Sequence, residues 1–113
     1  MKTTSRHFAV FVTCPDVETA RRLAMMGLEA TLCACAQILP AIESHYWWQG
    51  KREQSREILV IFKTTKARLP ALEKAIKKGH PYEVPQIVVL PIASGSASYL
   101  AWLDSETKPI RRR

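Results

Sequence analysis

The side chains able to do chemistry here are the thiols of Cys14, Cys33 and Cys35, the imidazoles of His45 and His80, and the Tyr82–Glu83 pair just after His80. In a strand, Cys33-Ala34-Cys35 would set two thiols on one side, a soft pair suited to copper or zinc. Such sites draw on more than one spaced pair of ligands, and no second cysteine pair follows, so buried packing is the favoured reading. Cys14 and His80 would make a nucleophile–base pair if the end of a strand met the loop holding the histidine. No glycine-rich oxyanion turn flanks Cys14, so the expectation is a protein that is not an enzyme. His45 lies inside a strand pattern and reads as a cross-strand packing residue.

His80, Tyr82 and Glu83 belong to "GHPYEVP", residues 79–85, a connection stiffened by two prolines. Gly79 is expected to cap the preceding helix, Pro81 to stop it, and Pro85 to set the entry into the next strand. That stiffness fixes the start of a strand, and the three polar side chains are held as a consequence, where a ligand can use them.

Composition narrows the classes. A chain of 113 residues, 47% of them hydrophobic, forms one domain with its own core, with residues from about 108 onward as a basic tail. The longest apolar runs, Phe8–Val12 and Ile58–Phe62, are too short to cross a membrane or act as a secretory segment. The formal charge is +7, of which Lys108, Arg111, Arg112 and Arg113 supply four, leaving +3 for the rest. A solvated basic end accounts for that distribution, and no nucleic-acid or membrane partner is expected. Cys33 and Cys35 are too close for an unstrained bridge, and all three thiols read as reduced, which suits a cytoplasmic protein.

The elements that must position these groups alternate in period. Phe8–Thr13 reads as a central strand, Asp16 caps a helix running to about Thr31, and Cys33–Trp48 is a strand bent at Pro40. Glu43, His45 and Trp47 share one side of it; Ser44, Tyr46 and Trp48 share the other. Gln49–Lys51 is a hairpin tip, and the return strand spans about Glu57–Thr65. A helix follows with Pro70 in its first turn and Leu69, Leu72 and Ile76 as its stripe; Ile87–Ile92 is a strand and Ser96–Thr107 a last short helix. Right-handed crossovers turn this β-α-β-β-α-β-α order into an α+β, ferredoxin-like antiparallel sheet with two helices on one face. Its second and fourth strands are edges. Tyr46, Trp47 and Trp48 lie on one of them, with one tryptophan expected in its own subunit and the other at a subunit boundary. The third strand, "REILVIFKT", lacks the glycine and aromatic pattern of an RNA-recognition motif.

Together "FVTCPD", "CACAQILPAIESHYWWQGK", "ILVIFKTT", "HPYEVPQIVVLPI" and "SYLAWL", spread over about residues 8–104, resemble the CutA family of divalent-cation tolerance proteins. The resemblance implies a ferredoxin-like fold, a homotrimer closed through strand edges, and a cytoplasmic role in tolerance of copper or another divalent metal that folding does not require. It also implies a metal site: His80 matches one of two adjacent histidines that some members place before Pro-Tyr, with Gly79 in the other's position, and Cys14 lies in the region of the cysteine used with them. The family's similarity in shape to PII-type signalling trimers implies an alternative. On it the chain is a regulatory module with a small ligand in the inter-subunit cleft, near Lys63, Tyr82 and Glu83.

Overall fold

In the computed structural model, which describes residues 1–109, the elements run β1 (Lys2–Thr3), β2 (His7–Cys14), α1 (Val17–Glu29), β3 (Cys35–Trp48), β4 (Lys51–Thr65), α2 (Leu69–Gly79), β5 (Ile87–Pro91), β6 (Ser94–Gly95) and α3 (Ala97–Glu106). The expectation of a solvated end at Arg111, Arg112 and Arg113 lies outside the described residues. The main sheet has the order β3-β4-β2-β5 with antiparallel pairing throughout, so β3 and β5 are its edges. That is the ferredoxin-like α+β topology. Strand β1, too short to carry a readable pattern, pairs with β6 in a separate two-stranded ribbon.

Alternation along the strands makes the core. Val10, Val12 and Cys14 of β2 and Ile58, Val60 and Phe62 of β4 point one way and are buried with Ala20 and Leu23 of α1 and Leu72 and Ile76 of α2. Helix α1 starts where Asp16 accepts a hydrogen bond from the Thr19 N–H at 2.7 Å. At its other end Thr31 takes a left-handed φ of 53°, and the Arg68 guanidinium donates to the carbonyls of Thr31 and Ala30 at 3.2 and 3.0 Å. The opposite sheet face stays largely open. Phe11, Leu59 and Ile61 are half-buried there, and Leu39, Val88 and Leu90 are exposed. Helix α3 reaches that face at one end only, through His7–Asp104 and Cys35–Tyr99 contacts.

Two expectations need correction. The return strand begins at Lys51, six residues before the expected Glu57, because β3 and β4 continue pairing out to Trp48↔Lys51. That outer ribbon has no core beneath it, so its residues carry no apolar alternation to read. Gly79 is not a left-handed cap; it is the last residue of α2, and His80, in extended conformation, is the cap. Glycine fits position 79 for space, since a Cβ there would meet Leu23 Cδ2 at 3.1 Å.

One irregularity matters for the site. Leu39 pairs with Leu59 and Ile42 with Glu57, so Pro40 and Ala41 together oppose Ile58: a bulge, with Ala41 at φ 57°. Before it the odd residues of β3 share the open face; beyond it Ile42, Ser44, Tyr46 and Trp48 do. The bulge therefore turns Tyr46 and Trp48 to the side that carries Glu57. Gln49 and Gly50, both at positive φ, close the hairpin as a two-residue turn. The projecting ribbon raises the radius of gyration to 15.0 Å, above the about 13 Å usual for a domain of this length.

Candidate functional site

The stiff loop is tied down by its histidine. His80 is 7% exposed, and its Nε2 donates to the Thr13 carbonyl at 2.7 Å while its Nδ1 accepts the Tyr82 N–H at 3.1 Å. Those partners define a neutral ring with both nitrogens engaged, so a metal could reach His80 only by displacing one of them. Cys14 is fully buried in the core, and burial, then the charges of Asp16 and Glu57, raise its thiol to about 11. It stays protonated at neutral pH, a poor nucleophile and a poor ligand. Cys33 is buried against α1, with its thiol pushed by burial to about 12. Cys35 is half-buried on the other sheet face, its sulfur 3.7 Å from the Tyr99 hydroxyl. The Cys-Ala-Cys pair is thus split between two environments, because β3 begins only at Cys35.

Once His80 is fixed, Tyr82 follows. Its ring lies 4.8 Å from the imidazole between centroids, and its hydroxyl donates to Glu57 Oε2 at 3.1 Å. Burial first, then the carboxylate of Glu57, raises the phenol to about 12, so it remains a donor. Glu57 is the residue that the sequence did not single out. It stands at the start of an apolar run and is 7% exposed, with no Lys, Arg or His within ion-pair distance among the described residues.

Glu57 opens onto a cleft of about 750 Å³ between the β3–β4 ribbon and the 81–86 loop, of a size suited to a small molecule. Tyr46, Trp48 and Tyr82 supply its aromatic rings beside the His45 imidazole, and Glu43, Glu57 and Glu83 its carboxylates; among the described residues no Lys or Arg lines it. Glu43 is engaged by His45 Nε2 at 2.7 Å, so His45 is an exposed partner of a carboxylate and not a packing residue. Lys63 stands apart, six residues further along β4, donating from Nζ to Gln37 Oε1 at 2.7 Å. Within one chain, then, the structure brings Tyr82 and Glu83 to a common cleft and leaves Lys63 out of it. Neither tryptophan enters the core: Trp47 is 71% and Trp48 42% exposed. Among the described residues, no helix is long and apolar enough to cross a membrane.

This ferredoxin-like fold has close counterparts among known proteins. The family described as CutA1 divalent ion tolerance protein matches residues 8–106, and the chain belongs to it. It is 42% identical over 106 residues to a rice protein, Protein CutA 1, chloroplastic, covering 94% of this chain and 60% of that one. A Divalent-cation tolerance protein CutA from Thermus thermophilus is 44% identical over 98 residues, 87% of this chain and 95% of its own. The chain thus spans about three-fifths of the rice relative's length and nearly all of the bacterial one's. The crystal structure of CutA1 from Oryza sativa agrees with a TM-score of 0.88 at 42% identity, over 93% of this chain and 96% of the other. A periplasmic divalent cation tolerance protein CutA from Archaeoglobus fulgidus gives 0.87 at 35% identity, over 90% and 99%.

Proposed function

We propose that this chain is a binding protein and not an enzyme: a homotrimeric member of the tolerance family that takes a positively charged ligand in the cleft beside Tyr82. The observation that carries this reading is Glu57. It is a carboxylate more than nine-tenths buried that, among the described residues, is partnered only by a neutral hydroxyl and opens onto a cleft lined by no Lys or Arg. A buried charge without a countercharge is costly, and a bound cation removes that cost. Divalent cations named in the family's description belong to the same charge class.

The alternative, an anionic ligand held near Lys63, Tyr82 and Glu83, has less support, since Lys63 faces Gln37 and the cleft is acidic. Copper on Cys14 and His80 requires loss of a proton from a thiol raised to about 11 and rupture of a bond to His80. Assembly is supported by the apolar residues on the open sheet face and by two unpaired sheet edges, both of which a second copy would cover. A cytoplasmic location suits three unpaired cysteines, two of them buried.

Equilibrium dialysis against two panels tests the reading: metal ions with small organic cations, and nucleotides. Retention of a cation without retention of nucleotides is the expected result. Nucleotide binding with no cation bound would reverse the charge assignment and restore the anionic alternative.

A further inference from the structure

Which cation fits is written in how the cleft distributes its charge. Glu43 already holds His45, which leaves Glu57 and Glu83 as the carboxylates free to meet a ligand. They do not form a metal cage: among the described residues, no three His, Cys, Asp or Glu side chains are grouped to hold one ion. Three aromatic rings share the lining with smaller polar and apolar side chains: Tyr46 and Trp48, brought to the Glu57 side by the bulge at Pro40–Ala41, and Tyr82, facing them from the loop. Aromatic faces attract an organic cation and also bury the hydrocarbon attached to it. A cleft of about 750 Å³ far exceeds one dehydrated metal ion.

Resting on the cationic reading above, we propose that the cleft binds a primary alkylammonium ion, the class that includes alkyl diamines and polyamines. The –NH3⁺ group donates to Glu57, whose Oε1 takes no hydrogen bond from the described residues while Oε2 accepts from Tyr82. The alkyl chain lies among the rings of Tyr46, Trp48 and Tyr82. An ammonium with three N–H donors satisfies a carboxylate better than a quaternary ion, which has none.

Isothermal titration of the full chain in its native assembly tests this with butylamine, putrescine, spermidine, tetramethylammonium and zinc chloride as probes. The expected result is saturable binding of the primary amines, with tetramethylammonium at least about tenfold weaker for want of N–H donors. Glu57→Gln preserves the shape and the acceptor for Tyr82, and should weaken spermidine at least about tenfold. Trp48→Ala, at an exposed position, should weaken it about threefold and keeps the test sound if the buried variant fails to fold. Zinc binding without amine binding overturns this inference and leaves the cationic reading standing. Failure of every cation to bind overturns both. Amine binding that Glu57→Gln and Trp48→Ala leave unchanged places the ligand elsewhere and overturns the assignment to this cleft.

Discussion

His80 shows how a residue with an obvious chemical reading can be absorbed by structure. Its two ring nitrogens tie the end of β2 to the loop, and Tyr82 depends on that tie for its reach to Glu57. His80→Ala should lower unfolding free energy by about 1–3 kcal/mol, the usual cost of stranding buried partners, as read by urea denaturation. An unchanged midpoint would mean that the loop is held by its prolines alone. The thiols give a second prediction. Cys14 and Cys33 are raised from 9.0 to about 11 and about 12, so above pH 9 the unfolded chain loses protons that the folded chain keeps. Stability is therefore full below about pH 9 and falls as pH rises toward 11 and beyond. Thermal melts between pH 8 and 11 should show that decline, and Cys33→Ala should flatten it. The importance of Glu57 was not legible in the sequence, because a glutamate at the head of an apolar run looks like a solvated strand end. Its partner Tyr82 stands 25 residues away, in a loop whose position the strand itself does not reveal.

At the scale of elements, most of the fold was readable because each helix and inner strand carries its own periodicity and its own stop. Asp16, Pro70 and the alternation of Phe8–Thr13 all signal what they form. The remaining elements lack such a pattern. Lys51–Arg56 is polar on both sides of a ribbon with no core under it, and β1 is two residues long. The bulge was foreshadowed by Pro40 only as a bend; its effect on facing depends on pairing, which one strand alone does not reveal. Deleting Ala41 should leave Pro40 alone opposite Ile58 and keep the Ile42↔Glu57 pairing, so Tyr46 and Trp48 stay on the Glu57 side and both the four-stranded sheet and cation binding survive. Circular dichroism beside a binding titration checks both halves of that outcome. Gly27 tests the packing between α1 and the sheet: an added Cβ would meet Cys33 Sγ at 3.0 Å and Phe62 at 3.5 Å. Gly27→Ala should be destabilising by about 1 kcal/mol net, overpacking outweighing the gain in helix propensity; a higher melting temperature would refute this.

For the molecule as a whole, the open sheet face and the projecting ribbon leave several large apolar side chains uncovered, Leu39, Trp47, Trp48, Val88 and Leu90 among them. Light scattering should give about three times the 12.8 kDa chain mass, with Trp47→Ala loosening the assembly. A monomer at micromolar concentration would remove the trimer. Thermal unfolding decides whether the Glu57 carboxylate is where the cation binds. Wild type and Glu57→Gln are melted over a concentration series of each cation that dialysis retains. A ligand bound only by the folded state raises the melting temperature with concentration. Wild type should show that rise and Glu57→Gln should lose nearly all of it; equal rises in both proteins would rule out Glu57 as the cation's partner.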